Sequence, residues 1–280
     1  MRERSDRTSS ATVRLIATDL DGTIVRSDGE ISERTRAALR DAEAAGLIVV
    51  FVTGRPPRWM KPVSEATGHT GLAICANGAI VYDLHTEEVV QSHAMEADLA
   101  RELADLIRGV IPDVAFAVEQ SDRFGHEPHY RSKYETPPDV VVAELDELLR
   151  GPVIKLLARH TSMPTDEMLR TAAKAIGDLA ELNTATFSDT DGLLELSASG
   201  VTKAFGLERF ASEHGIGPGA VVAFGDMPND LPMLAWAGHA VAVANAHPDV
   251  IAIADEVTAS NDDDGVATVI ERIIERMVRT

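Results

Sequence analysis

Four short apolar runs, VRLIATDLDG, LIVVFVTGR, VVAFGDMPND and AVAVANA, each end in a polar or small-residue turn. Between the first two lies SERTRAALRDAEAAG, residues 32–46, with a Ser at a plausible N-cap, many strong helix formers and a Gly stop. That pattern predicts a helix. Strand, helix, strand at this spacing is a βαβ unit, which implies a right-handed crossover and a parallel sheet. TKAFGLERFASEHGI (202–216) predicts a further helix ahead of VVAFGD. The C-terminal GVATVIERIIERMV (265–278) repeats apolar residues at helical spacing and should pack on the sheet.

The middle of the chain reads differently. Strand-like segments (VVVAEL, VIKLLAR, GLLELSA) alternate with helical ones (ADLARELADLIRGV, TDEMLRTAAKAIGDLAEL), around a polar stretch RFGHEPHYRSKYETPPD. This predicts a separate α+β module over residues 82–197, inserted into a Rossmann-like α/β core built from 14–81 and 198–280. Residues 1–13 are basic and Ser/Thr-rich without an apolar stretch, as expected of a short disordered tail and not of a signal peptide. No run approaches the roughly 18 apolar residues of a membrane span. The single Cys75, set among LAICANG, rules out an internal disulfide framework and reads as a small buried hydrophobe, fitting a reducing cytoplasm. A net charge of −19 argues against nucleic acid or anionic membrane as partner. A small phosphorylated metabolite is compatible if metal, Lys, Arg or backbone N–H groups supply local positive potential. Nothing in the sequence fixes an oligomeric state.

In an open parallel sheet, ligands bind outside the carboxyl ends of the strands. The polar turns Asp19 to Thr23, Thr53 to Arg55 and Asp226 to Asp230 all occupy that position. Four carboxylates (Asp19, Asp21, Asp226, Asp230) should therefore share one edge, where unpaired they would repel and shift one another's pKa. A divalent cation is the simplest remedy, and all-oxygen ligation suits Mg²⁺. The alternative is local Arg or Lys, for which only Arg55 and Lys203 are on offer. An Asp in such a place can act as a nucleophile on phosphorus. A second carboxylate two residues on could serve as acid and then base.

These residues resemble the haloacid dehalogenase-like superfamily of phosphohydrolases in four motifs: DLDGT (Asp19–Thr23), TGR (Thr53–Arg55), the Lys203 of SGVTK, and GDMPND (Gly225–Asp230). The large insert between the second and third motifs, the ICANGAIVYD leading into it, and the tail AVAVANAHPDVIAIADEVTASNDDDGVATVI are similar to the Cof-like branch with a type-IIB cap. One departure is VANA, where many relatives carry Met-Gly-Asn-Ala; Asn245 still matches.

The resemblance implies that Asp19 is the nucleophile, becoming an aspartyl phosphate, and that Asp21 is the general acid/base with its backbone carbonyl on Mg²⁺. It implies that Asp226 ligates the metal and Asp230 supports it. Thr53, Gly54 and Lys203 would hold phosphate oxygens, Asn229 would lie near the phosphoryl group or metal water, and Arg55 would reach the substrate side. The activity implied is Mg²⁺-dependent hydrolysis of a small phosphorylated metabolite, with sugar phosphates the leading class and the cap closing over the site to select the leaving group. A phosphotransferase or mutase would use the same Asp pair, and a non-catalytic metabolite-binding regulator could share the scaffold. Release of inorganic phosphate separates the first, and the intact Asp pair speaks against the second.

Other features take plainer readings. His126, His129 and His160 are expected as exposed cap histidines, since no Cys or spaced carboxylate completes a metal set. Asp262–Asp264 reads as a solvated acidic loop without EF-hand spacing. Trp59 and Met60 either line the cleft or pack.

Overall fold

The structure, a computed structural model, describes residues 12–121, 123–132, 138–184 and 191–279. Residues 1–11 of the expected tail, and parts of the polar stretches RFGHEPHYRSKYETPPD and FSDTDG, lie outside the described residues.

Along the chain, β1 (Leu15–Thr18) leads to α1 (Glu33–Ala44), β2 (Ile48–Val52), α2 (Lys61–Thr67), β3 (Leu72–Cys75), β4 (Ile80–Asp83) and β5 (Glu88–Ser92). Next come α3 (Ala97–Val110), β6 (Ala115–Glu119), β7 (Phe124–His126), β8 (Val141–Val142), α4 (Leu145–Leu148), β9 (Lys155–His160), α5 (Thr165–Ile176), β10 (Ala180–Asn183) and β11 (Gly192–Ala198). The chain then returns through α6 (Lys203–Glu213), β12 (Val221–Gly225), α7 (Leu231–Trp236), β13 (His239–Ala242), α8 (Pro248–Ile253), β14 (Glu256–Val257) and α9 (Gly265–Val278). Two compact units result, Met1–Val90 with Thr202–Thr280, and Gln91–Val201.

The first unit holds a sheet of order β14-β13-β12-β1-β2-β3-β4-β5 among the described residues. Strands β14 to β3 run parallel, and β4 turns back antiparallel on β3. Leu15 pairs with Ile48 on one side and Val221 on the other, so β1 lies at the centre. All four residues of LIAT are buried, as a parallel strand covered on both faces requires. The Ser32 hydroxyl caps α1 by accepting from the Thr35 N–H, and Gly46 ends the segment at φ +87°. Thr202 caps α6 the same way, accepting from Phe205. Apolar faces of α9 (Val266, Val269, Ile270) and α1 (Ala38, Leu39, Ala42) are buried, as their spacing predicts.

The second unit is a sheet of order β10-β11-β9-β6-β7-β8, antiparallel except between β7 and β8. One core gathers Leu103 and Ile107 of α3, Met168, Ala172 and Ile176 of α5, and Phe116, Leu156 and Leu194 of the strands. The helix predicted over TDEMLRTAAKAIGDLAEL stops at Ile176. Gly177 takes φ +53°, and Ala180–Asn183 instead pairs with Glu195–Ala198. In VVVAEL only Val141–Val142 is extended, because Leu145 already starts α4. His126 is half-buried against Phe124 and Tyr130, with Nδ1 2.8 Å from the Glu127 carbonyl, so it is not the exposed histidine expected.

Of Asp262–Asp264, the first two are exposed, as a solvated loop predicts, and Asp264 is half-buried. Asp264 accepts from Ser32 (2.6 Å) and Arg26 (2.7 Å), and Asp262 accepts from the Ser27 N–H (2.9 Å), which ties this loop to the start of α1. Cys75 and Met60 are fully buried. No helix among the described residues is long and apolar enough to cross a membrane.

Candidate active site

Asp19 follows β1 directly, its N–H donating to the Phe224 carbonyl of β12 (3.1 Å), so its position is set by the sheet itself. Its carboxylate is buried, which would be costly without a counter-charge. That charge is the Lys203 ammonium, the first residue of α6 and wholly buried, 2.9 Å from Asp19 Oδ1 and 2.6 Å from Asp230 Oδ1. Burial works to discharge Lys203, but the attraction of Asp19 and Asp230 outweighs it and holds the ammonium protonated more firmly than usual. Burial likewise pushes the Asp19 carboxyl well above the usual carboxylate range, with repulsion from Asp230 and Asp226 adding to it and Lys203 opposing.

Asp226 stands at the end of β12, where burial first and Asp230 second push its carboxyl up to about 7. Its side-chain donor is the Thr23 hydroxyl at 2.7 Å, and among the described residues no Lys or Arg lies within ion-pair distance. Asp230 is differently placed. Its Oδ2 accepts from the backbone N–H groups of Asp226 and Met227 at 3.0 Å each, and its Oδ1 takes Lys203. Asp230 thereby folds the GDMPND turn back on itself and seats Lys203.

Asp19, Asp226 and Asp230 each bring an oxygen to within 4.8 Å of the others, the one such group of potential ligands among the described residues. The donor set fits a hard divalent cation: all oxygens, with the buried Asp226 lacking a cationic partner. The Asp21 carboxylate lies apart from this group, exposed, in a bidentate fork with Arg55 (Nε–Oδ2 2.8 Å, Nη2–Oδ1 2.5 Å). The four carboxylates placed together by their strand-end positions are thus three in one cluster and one on an arginine.

Gly22 makes the cluster possible. It sits at φ +77°, and a Cβ there would lie 2.4 Å from Asp226 Oδ2. Asn245 fixes the same turn by donating to the Gly22 carbonyl (2.7 Å) while its Oδ1 accepts from the Asn261 N–H (2.9 Å). Thr53 and Gly54 follow β2, with Thr53 buried and its Oγ1 accepting from the Arg55 N–H (3.0 Å). Asn229 is buried, its Nδ2 3.1 Å from Asn77 Oδ1. Sequence reasoning named neither Thr23 as a donor to Asp226 nor Asn77 as a partner of Asn229. The threonine ends DLDGT; the Asn-Gly pair after LAIC carries a turn signal that could have drawn attention to the second.

The model of the haloacid dehalogenase-like hydrolases matches residues 16–270. The chain is 30% identical over 91% of its length to the Arabidopsis thaliana protein "Endoribonuclease YBEY, chloroplastic", of whose length it spans 45%. It is 29% identical to the Bacillus subtilis 5-amino-6-(5-phospho-D-ribitylamino)uracil phosphatase YitU, over 90% of this chain and 94% of that one. Among solved structures, the HAD subclass IIB sugar phosphatase BT4131 superposes with a TM-score of 0.77 at 24% identity, covering 93% of this chain and 98% of the other, which shows a shared fold.

Proposed function

The chain belongs to the haloacid dehalogenase-like hydrolase family and is a phosphatase, and from that premise we propose that it hydrolyses a small phosphorylated metabolite through an aspartyl phosphate on Asp19. Sugar phosphates are the leading substrate class. The observation that carries this reading is a buried aspartate at the end of the central strand, flanked by the buried ammonium of Lys203 and the carboxyl of Asp226.

In this reading an Asp19 carboxylate oxygen attacks phosphorus, and the bond from phosphorus to the ester oxygen breaks. Asp21, once its carboxyl has swung out of the fork with Arg55, gives its proton to the departing oxygen. It then takes a proton from a water that attacks phosphorus, breaking the bond to Asp19 and releasing inorganic phosphate. The Thr53 hydroxyl, the Gly54 N–H and the Lys203 ammonium hold the phosphate oxygens as charge moves, donors fixed in place before the reaction. Asn229 contacts the phosphoryl group from the opposite turn.

The carboxylates of Asp19 and Asp226 and the Asp21 carbonyl would hold Mg²⁺, with Asp230 in support; when bound, the ion supplies positive charge against the transferring phosphoryl group. Residues 14–81 and 198–280 form the catalytic core in the same reading, and 82–197 the cap that selects the leaving group. The setting is the reducing cytoplasm.

Purified protein assayed against a panel of phosphorylated metabolites, with and without Mg²⁺, tests the reading. Inorganic phosphate should appear, without net isomerisation of a sugar phosphate, only when Mg²⁺ is present. Asp19→Asn should abolish it while leaving the fold intact. Turnover of an aryl phosphate by Asp19→Asn at the wild-type rate would overturn the mechanism.

A further inference from the structure

The turn Ala76-Asn77-Gly78 after β3 has no part in the chemistry described above, yet it touches three of the loops that have. Ala76 and Asn77 both adopt left-handed backbone (φ 52° and 56°), uncommon for residues other than glycine and maintained only where surroundings demand it. The demand is visible. The Asn77 N–H donates to the Thr53 carbonyl (3.0 Å) and the Ala76 N–H to the Arg55 carbonyl (2.9 Å), so the turn clips both ends of the Thr53–Arg55 loop. Gly78, at φ +100°, lies so close to the first turn of α6 that a Cβ would stand 2.0 Å from the Thr202 carbonyl oxygen, immediately before Lys203. The Asn77 side chain, buried, crosses to the GDMPND turn and accepts from Asn229 Nδ2. Its Oδ1 would also lie only 3.1 Å from a Cβ on Gly54, so the amide rests against the phosphate loop.

The Asn229 carboxamide completes the argument. Its nitrogen carries two N–H groups, of which Asn77 takes one. Its Oδ1 is buried and has no hydrogen-bond partner among the described residues. That oxygen can take only a donor such as a water, whereas the second Nδ2 hydrogen is the group an acceptor oxygen of a phosphoryl group can take. An amide free to rotate would turn its oxygen toward some other donor, and the bond to Asn77 prevents that.

We propose that Asn77 is a positioning residue for phosphoryl transfer, holding the Asn229 carboxamide and the Thr53–Gly54 loop in the geometry that meets the transferring group. The proposal rests on the phosphatase reading above and adds to it a residue that never touches substrate. Small misplacement of groups that act on a transition state costs rate more than ground-state affinity, about a hundredfold for an ångström.

Asn77→Gly is the informative variant, because glycine keeps the left-handed backbone and removes only the amide. Its kcat on an aryl phosphate should fall roughly tenfold to a hundredfold with KM changed less than about threefold. In an Asn229→Ala background the same substitution should cost clearly less, since glycine keeps the backbone bonds to the Thr53–Arg55 loop and the amide it removes acts chiefly through Asn229. Thermal midpoints establish that every variant is folded. A wild-type kcat in Asn77→Gly, or an equal loss in both backgrounds, would overturn the proposal. If wild-type protein released no phosphate from any ester, the phosphatase reading would fail by itself. The coupling would then be read in calorimetric binding of orthovanadate, weakened by Asn77→Gly alone and no further in the double variant. Unchanged vanadate binding in Asn77→Gly would again overturn it.

Discussion

Replacing Lys203 with Met keeps the side-chain volume and removes the charge, so the packing cost is small and the electrostatic cost is isolated. The ammonium is fully buried and lies 2.9 Å from Asp19 and 2.6 Å from Asp230. Removing one partner of a buried ion pair leaves an uncompensated charge and costs about 3–5 kcal/mol. At roughly 2–4 °C per kcal/mol for a unit of this size, the midpoint of thermal unfolding should fall by about 6–20 °C. The measurement is circular dichroism of metal-free Lys203→Met against wild type at pH 7.5. The deficit should narrow as pH is lowered, because the Asp19 carboxyl, already raised by burial, takes up a proton in place of its lost partner. Adding Asp230→Asn should recover part of the loss by removing one of the two stranded charges. A midpoint within about 2 °C of wild type at pH 7.5 would refute the reasoning, since it would mean that Asp19 and Asp230 need no counter-charge.

Three further outcomes are expected. Gly22→Ala combines a left-handed backbone with a Cβ 2.4 Å from Asp226 Oδ2, so it should lower kcat at least about tenfold by displacing that carboxylate, and costs about 1–2 kcal/mol in urea unfolding. Chelation of divalent ions should abolish phosphate release, and Mg²⁺ should raise the thermal midpoint of wild type but not of Asp226→Asn. Burial alone would raise the Asp264 carboxyl, but hydrogen bonds from Ser32 and Arg26 hold it below the usual carboxylate value of 3.8. Its stabilisation is therefore complete above that value and disappears as pH falls through the lower, folded one. The midpoint difference between wild type and Asp264→Asn should be constant from pH 7 to 5 and shrink below about pH 4.

The sequence was most informative where local chemistry and long-range packing agree. Ser32 is a cap by residue type and is a cap in the fold, and α9 repeats its apolar residues at the spacing it buries. The parallel core followed from the strand–helix–strand spacing of the first two apolar runs and the helix between them. The helix expected through Leu182 fails because β10 exists only by pairing with β11, and that partner is invisible to a local reading. Asp264 looked solvated because an acidic run usually is, and only the fold brings Arg26 and Ser32 to it. In the site, residue types pointed to the carboxylates, to a divalent cation between them, and to Arg55 and Lys203 as the side-chain cations on offer. Which carboxylate takes which cation depended on side-chain directions: Lys203 takes Asp19 and Asp230, while Arg55 takes Asp21. Asn77 escaped notice because its role lies in joining loops that are distant in sequence.

The central claim is that Asp19 carries the phosphoryl group, and the most direct test is to trap it there. Wild-type protein mixed with substrate and Mg²⁺ is quenched in acid within a single turnover and treated with borohydride, which reduces an acyl phosphate to an alcohol. Peptide mass spectrometry should find homoserine at position 19, dependent on substrate and absent from protein quenched without it. Turnover with an unmodified Asp19, or with reduction at another carboxylate, would contradict the account.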